Sequence, residues 1–200
     1  MPNSKNLPAE FVETRFPVRI EKLALATDSG GPGLHRGGLG YDKEIRALRD
    51  ASFLAVADRS ILSCWGVKDG RAGAPFRVTI DPGGPDERVL GGLVNDEPVA
   101  AGQVIRIVTT GGGGWGDPLA RAPEAVALDV KQGKVSRAAA ESDYGVVLTG
   151  TREEPEVDAT ATEELRVRLG EERGDVPFFD HGPGYARPAG GKPNADLDFL

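Results

Sequence analysis

The residues best suited to contact a ligand lie in a glycine-rich run that follows a strand-like segment. Its members are Gly111, Gly112, Gly113, Gly114, Trp115, Gly116 and Asp117. Because glycine loses more backbone entropy on ordering than any other residue, an ordered run of four indicates either very close backbone approach or several positive φ angles. The N–H groups of such a run could line an anion or carbonyl site. The alternative, which we prefer, is tight packing against a partner domain with Trp115 as an apolar anchor.

Two earlier loops share this character and complete the candidate site. They contain Asp28, Ser29, Gly30 and Gly31, followed by Arg36, Gly37 and Gly38. The guanidinium of Arg36 could bind a carboxylate, and a structural salt bridge is an equally good interpretation. Asp28, Asp58 and Asp117 stand at strand ends or turns, where aspartate commonly accepts backbone hydrogen bonds, so we prefer that role for them. We predict that these loops contact substrate or another chain.

Phosphate-binding and metal-binding motifs are not found in the sequence. A P-loop needs Ser or Thr after its Gly-Lys pair, and Val135 and Pro193 stand there instead. The histidines are His35 and His181 alone, far apart in the chain, whereas metal sites need clustered ligands. For Cys64 no activating base can be identified, which favours a buried, inert thiol. We therefore predict no cofactor and no metal bound by this chain alone, and we assign no catalytic residue.

Composition restricts the class of protein further. The 200 residues have a net charge of −7 without a basic stripe, which disfavours nucleic acid and anionic membranes as partners. The single cysteine excludes an intrachain disulfide. The first residues contain no apolar leader segment, and no apolar run is long enough to span a bilayer, so we expect a cytoplasmic protein. The 28 glycines and 15 prolines favour turns over long helices.

The elements that must position these loops are mostly strands. Alternation and turn residues predict strands at 15–25, 41–48, 52–58, 77–80, 87–90 and 104–108, with a hairpin turn at Arg49-Asp50. Helical composition and caps predict helices at 123–133, 137–144 and 160–170. Residues 146–148 suggest a short terminal strand, and 150–158 are expected to be structureless.

These elements predict a mainly β fold, namely a β-sandwich or barrel-like unit followed by two or three short helices and an extended tail. We divide the chain into a tether (1–13), a β-rich domain with glycine-rich loops (14–118), a helical appendix (119–149), and a linker, short helix and Gly/Pro-rich tail (150–200). The tail contains Phe178, Phe179, Tyr185 and Phe199, which suggests docking onto a larger surface.

Several separated blocks, taken in order, resemble the last third of the B component in the hydantoinase B/5-oxoprolinase family, and the resemblance covers about residues 6–148. The blocks are 13–19, 28–33, 36–40, 58–59, 65–66, 73–75, 110–118, 135–136 and 144–146. Several blocks in the expected order are far more specific than any single glycine-rich motif.

The resemblance implies partners and cofactors that this chain does not supply by itself. Members of the family work with an A-type subunit that binds and cleaves ATP, and together they activate an amide or ketone oxygen by phosphorylation. The implied substrates are hydantoins, 5-oxoproline and lactams, and in some branches acetone or acetophenone. In some branches a divalent metal takes part, and its ligands are expected in the N-terminal part of the B component.

We therefore expect a C-terminal part of a B-type subunit that contributes to an ATP-dependent cyclic-amide hydrolase complex and is not catalytic alone. Its expected partners are the A-type subunit and the N-terminal part of the B-type subunit, which would hold the ATP and the metal. Two alternatives stay open. The chain could be part of an ATP-dependent ketone carboxylase, or a non-catalytic β-sandwich module for binding or assembly.

Overall fold

A computed structural model describes residues 6–57 and 59–186 of the chain. Asp58, the first residues of the predicted tether and the tail beyond residue 186, including Phe199, lie outside the described residues. The strands are β1 (Val18–Leu25), β2 (Tyr41–Ala47), β3 (Ala51–Val56), β4 (Gly66–Val67), β5 (Arg77–Ile80), β6 (Arg88–Leu90), β7 (Leu93–Val99), β8 (Val104–Val108), β9 (Leu148–Gly150), β10 (Pro155–Val157) and β11 (Phe179–Asp180). The helices are α1 (Ala9–Arg15), α2 (Pro123–Lys131), α3 (Arg137–Ser142) and α4 (Ala159–Glu172), with one 3-10 turn at Pro118–Ala120.

The strands form antiparallel sheets, and the prediction of a mainly β fold is confirmed. A five-stranded sheet has the order β1-β2-β8-β5-β6. Strands β3 and β7 pair in a separate two-stranded sheet, as do β4 with β11 and β9 with β10. Three helices follow the β-rich part, in agreement with the sequence. None of the helices in the described residues is long and apolar enough to cross a lipid bilayer.

The five-stranded sheet has one apolar and one charged face, as alternation predicts. The register puts the following residues on the mostly apolar, inner face: Val18, Ile20, Leu23, Leu25, Tyr41, Lys43, Ile45, Ala47, Val78, Ile80, Arg88, Leu90, Ile105 and Ile107. Phe53 of β3 and Val99 of β7 pack against Ala47, Ile80 and Ile105 from this face. The two sheets therefore enclose a sandwich-like core.

The helical part has its own core, which the caps help to define. Val126, Val130, Ala140, Tyr144 and Val146 pack together in it. Helix α3 begins where the Ser136 hydroxyl accepts the amide of Ala139 at 3.0 Å, and the Asp158 carboxylate caps α4 in the same way. The cap residues identify the starts of these helices, so the sequence predicts all three to within a few residues.

Several expectations about local structure are wrong. Strands β2 and β3 do not form a hairpin, since β2 pairs with β1 and β8 while β3 pairs with β7. Strand β7 was not predicted, because Asp96, Glu97 and Pro98 interrupt its apolar pattern. Part of the segment predicted as a tether (1–13) belongs to helix α1. Residues 150–158 are not structureless, because β10 pairs with β9.

Ion pairs organise the charged, outer face of the five-stranded sheet. The Asp42 carboxylate accepts two hydrogen bonds from Arg106, both at 2.8 Å, and one from Lys22 at 2.6 Å. Hydrogen bonding to Arg106 is the main cause that lowers the pKa of Asp42 from 3.8 to about 2. A carboxyl group whose pKa is lower in the folded state than in the unfolded state stabilises the folded protein when the pH is above the unfolded-state pKa. This stabilisation is lost as the pH falls through the folded-state pKa.

We therefore predict that Asp42→Asn removes part of the acid sensitivity of the protein. Above pH 4 the substitution should lower the free energy of unfolding by about 2 kcal/mol, and the difference from the unmodified protein should shrink as the pH falls towards 2. Urea titrations at a series of pH values measure this. Asp86→Asn, at an exposed carboxyl on the β5–β6 turn, is the control and should show no such difference. A pH-independent loss at position 42 would contradict the prediction.

Candidate functional site

The glycine run lies at the centre of three loops, which we call the glycine junction (residues 28–40, 64–74 and 111–117). The amide of Gly31 donates to the carbonyl of Gly112 at 2.8 Å, and the amide of Gly112 donates to that of Gly38 at 2.9 Å. On the other side, the amide of Gly114 donates to the carbonyl of Arg71 at 2.9 Å. The predicted loops therefore meet in space, and their backbones bond to each other.

Close backbone approach is the reason for the glycines. A Cβ atom built on Gly111 would lie 1.6 Å from the carbonyl oxygen of Ser29, and one on Gly113 would lie 1.7 Å from that of Trp65. Within the run 111–117, the positive φ angle belongs to Gly116, at 76°. Of the two explanations that the sequence leaves open for the four glycines, the structure supports close approach.

The loop at 64–74 is the part of the junction that sequence analysis did not include. Gly70 approaches the carbonyl oxygen of Gly114, and Gly73 approaches that of Gly111, so that an added Cβ would clash in either case. Trp115 forms isolated bridges to both His35 and Val67, which joins the three loops at one residue. The spacing of Gly66, Gly70 and Gly73 was the available signal.

Asp28 and Ser29 accept hydrogen bonds from the backbone, the role expected for turn aspartates. Asp28, at a φ of 61°, accepts the amide of Ser136 through its carboxylate at 2.7 Å. The buried Ser29 hydroxyl donates to the carbonyl of Ala26 at 2.6 Å and accepts the amide of Gly40 at 2.9 Å. These bonds connect the first loop to the start of α3 and to the strand that follows.

Arg36 forms the salt bridge that was one of its two interpretations. Its Nε donates to Asp129 at 3.1 Å, and Arg121 donates to the same carboxylate at 2.9 Å. Arg121 also donates to the carbonyl of Leu34 at 2.9 Å. The Tyr144 hydroxyl is buried close to this cluster, and desolvation is the main cause that raises its pKa. Two guanidinium groups on one carboxylate thus tie the second loop to α2.

Asp117 ends the glycine run with a second ion pair. Arg173, just after α4, donates to both its carboxylate oxygens at 2.7 Å, and the amide of Leu119 donates to it at 2.8 Å. Hydrogen bonding to Arg173 is the main cause that lowers the pKa of Asp117. The carboxylate therefore remains ionised at neutral pH and caps the 3-10 turn at Pro118–Ala120.

Aromatic side chains cover one side of the junction. The Trp115 ring is 43% exposed, lies 5.4 Å from the His35 ring and has the Lys68 ammonium 5.1 Å from its centroid. Two of the tail aromatics contact rings of the same chain: His181 stacks on Tyr185 and meets Trp65 edge-on, with both centroid distances at 4.3 Å, and Phe179 meets Trp65 edge-on at 6.0 Å. Docking of the tail onto a larger surface stays a prediction. Cys64, expected to be buried, is partly exposed.

A sizeable cleft lies largely outside the junction. A cleft of about 740 Å³ lies on the outer face of the five-stranded sheet, and its charged lining consists of Glu44, Arg77, Glu87 and Arg106. Among residues 6–57 and 59–186, no group of three or more His, Cys, Asp and Glu side chains could hold a metal ion. The described donor set does not fit a divalent metal. The role of the glycine loops as a surface for substrate or another chain stays a prediction.

Comparison with known proteins gives consistent matches. The sequence model of the family described as hydantoinase B/oxoprolinase matches residues 1–118. The putative B component of a D-/L-hydantoinase from a Pseudomonas species is 34% identical over 165 residues, which cover 82% of this chain and 27% of that protein.

Two solved structures contain the same fold. The nucleotide-free structure of an enzyme of ATP-dependent acetone carboxylation matches with a TM-score of 0.76 at 25% identity, covering 88% of this chain and 28% of that one. The ATP-dependent caprolactamase from Pseudomonas jessenii matches with a TM-score of 0.68 at 29% identity, covering 80% of this chain and 28% of that one. This chain therefore spans only about a quarter of the length of these three relatives.

We predict that Gly113→Ala disrupts the junction while Gly38→Ala does not. The added methyl group at 113 would meet the backbone oxygen of Trp65, which cannot move as a side chain can, whereas nothing lies within 4 Å of a Cβ at position 38. We expect the free energy of unfolding to fall by about 3 kcal/mol or more for Gly113→Ala and to change by less than about 1 kcal/mol for Gly38→Ala. Thermal and urea unfolding measure both. Equal effects would contradict the close-approach explanation.

Proposed function

The chain belongs to the hydantoinase B/oxoprolinase family, and from this premise we propose that it forms the C-terminal part of a B-type subunit in an ATP-dependent hydrolase of cyclic amides. One observation carries the proposal: the fold of this chain recurs as about a quarter of the chains of two ATP-dependent enzymes, one of which opens a lactam. The substrate class would then be hydantoins, 5-oxoproline or related lactams.

Within such an enzyme we assign this chain a structural, non-catalytic role. The polar side chains of the predicted site each hold the loops in place: Asp28 binds the start of α3, Arg36 binds Asp129, and Asp117 binds Arg173. The N–H groups of Gly111, Gly112 and Gly114 donate to backbone carbonyls of the other two loops. Because these side chains and N–H groups already have hydrogen-bond partners in the same chain, they support a structural role.

We propose that ATP and a divalent metal are held by partner segments, namely an A-type subunit and the N-terminal part of the B-type subunit. ATP would transfer its γ-phosphoryl group to the amide oxygen with release of ADP. Water would then attack the activated carbon, and the ring would open with release of phosphate. The residues of this chain would keep the glycine junction and the sheet in the geometry against which those segments pack. We expect the complex in the cytoplasm, where ATP is available.

A second candidate function is carboxylation of a ketone. The observation that favours it is the structural match to the acetone carboxylase chain, which covers more of this chain than the caprolactamase match does. The phosphorylated group would then be an enolised ketone oxygen instead of an amide oxygen, and bicarbonate would be the co-substrate.

The proposal predicts a hetero-oligomer with ATP-dependent turnover. The tagged chain, purified gently from its own host, should elute with an ATP-binding A-type subunit and a B-type segment, which native mass spectrometry and peptide sequencing identify. ATP cleavage by the purified complex should rise on addition of one cyclic amide from a panel of 5-oxoproline, hydantoin and caprolactam.

The control uses the junction variant. Gly113→Ala should lower recovery of the complex, whereas Gly38→Ala should not. Acetone with bicarbonate, added in place of the amides, tests the second candidate. A complex whose ATP cleavage responds to neither substrate class, or a chain recovered without these partners, would overturn the proposed function and leave a non-catalytic binding module.

A further inference from the structure

The inner face of the five-stranded sheet is covered over only part of its width. The strands β3 and β7 pack on it near Ala47, Ile80 and Ile105. At the β1 edge the same face continues with Leu23, Leu25 and Tyr41, which are 52%, 50% and 47% exposed. A two-stranded sheet cannot cover five strands, so this patch of apolar side chains remains on the surface of the described chain.

The apolar character of this patch contrasts with the charged character of the opposite face. On that face, Lys22 of β1 and Arg106 of β8 form ion pairs with Asp42 of β2, which suits contact with water. The register of β1 and β2 puts Leu23 opposite Lys43 and Leu25 opposite Tyr41, so the apolar side chains are neighbours on one surface. Contiguous apolar patches of this kind mark interaction sites. We call the surface formed by Leu23, Leu25 and Tyr41 the β1–β2 apolar patch.

We propose that the β1–β2 apolar patch is the docking surface for the part of a B-type subunit that lies outside these 200 residues. The inference rests on the proposed function. Two solved relatives contain this fold within much longer chains, of which it covers 28%. Most of each of those chains is therefore available to complete the sandwich at the place where β3 and β7 end.

The patch also defines the chemistry of its occupant. Leu23, Leu25 and Tyr41 require apolar side chains on an element that lies across the two strands. Lys43 lies between them on the same face, and burying an ammonium group needs a carboxylate partner. The docking segment should therefore combine an apolar surface with an Asp or Glu positioned to pair with Lys43.

The experiment compares a patch variant with a variant on the other face. Leu25→Glu introduces a charge in the patch, and Val89→Glu introduces the same charge at an apolar residue that is 59% exposed on the outer face of the same sheet. Both tagged full-length chains are purified from their own host and examined by native mass spectrometry. We expect Leu25→Glu to reduce the fraction bound to a B-type segment by about tenfold or more, with Val89→Glu unchanged.

A second measurement does not depend on the variants. Hydrogen exchange of the wild-type chain should slow at the amides of β1 and β2 in the complex, relative to the isolated chain, while β6 stays the same. If Leu25→Glu lowers the melting temperature strongly, this exchange measurement decides the question.

Each other outcome overturns the inference in a distinguishable way. Retention of the B-type segment by Leu25→Glu, with unchanged exchange in β1 and β2, rejects the patch but leaves the proposed function intact. A homodimer that dissociates on Leu25→Glu shows a second copy as the occupant. A wild-type chain that binds no B-type segment rejects the proposed function and the docking surface together.

Discussion

The fold depends on backbone-to-backbone contact between three loops that meet without side chains between them. The carbonyl oxygens of Ser29, Trp65 and Pro32 occupy the positions where Cβ atoms of Gly111, Gly113 and Gly114 would stand. The entropy that glycine loses on ordering is offset only because the N–H groups at this crossing bond to carbonyls of neighbouring loops. The glycine run is therefore a structural constraint on everything that the loops connect.

Ion pairs connect these loops to the helices. Asp129 on α2 binds Arg36 of one loop, and Arg173 at the end of α4 binds Asp117 of another. Each carboxylate is partly or fully removed from water, so loss of one partner would leave a poorly compensated charge. These ion pairs thus connect the loops to the helices around the second core.

Local signals in the sequence were sufficient for part of this architecture. The bounds of strands β5 and β8 were predicted to the residue, because alternating apolar and polar residues indicate a half-buried strand. The helix starts follow from cap residues such as Ser136 and Asp158. Sequence analysis also grouped the glycine-rich loops at 28–38 and 111–117 into one candidate site. Strands β7 and β10 were missed, and the short strand predicted at 146–148 begins two residues before β9, because these pairings are decided by partners distant in the chain or by polar residues with no periodic signal. The loop at 64–74 was left out of the candidate site because its glycine spacing alone does not show that it contacts Gly111 and Gly114.

The two faces of the five-stranded sheet differ in how far their groups are satisfied within the described residues. An independent sandwich would cover its apolar face fully, because exposed Leu and Tyr side chains lose the free energy that burial provides, about 25 cal/mol for each square ångström. Here the charged face satisfies its own groups through Asp42 and Arg106, whereas the apolar face at Leu23 and Leu25 does not. The interior of the glycine junction is already filled by backbone of the same chain, whereas this face of the sheet offers exposed apolar side chains to a partner. In a family whose members are several times longer, the free energy of covering it is what would attach this unit to the rest.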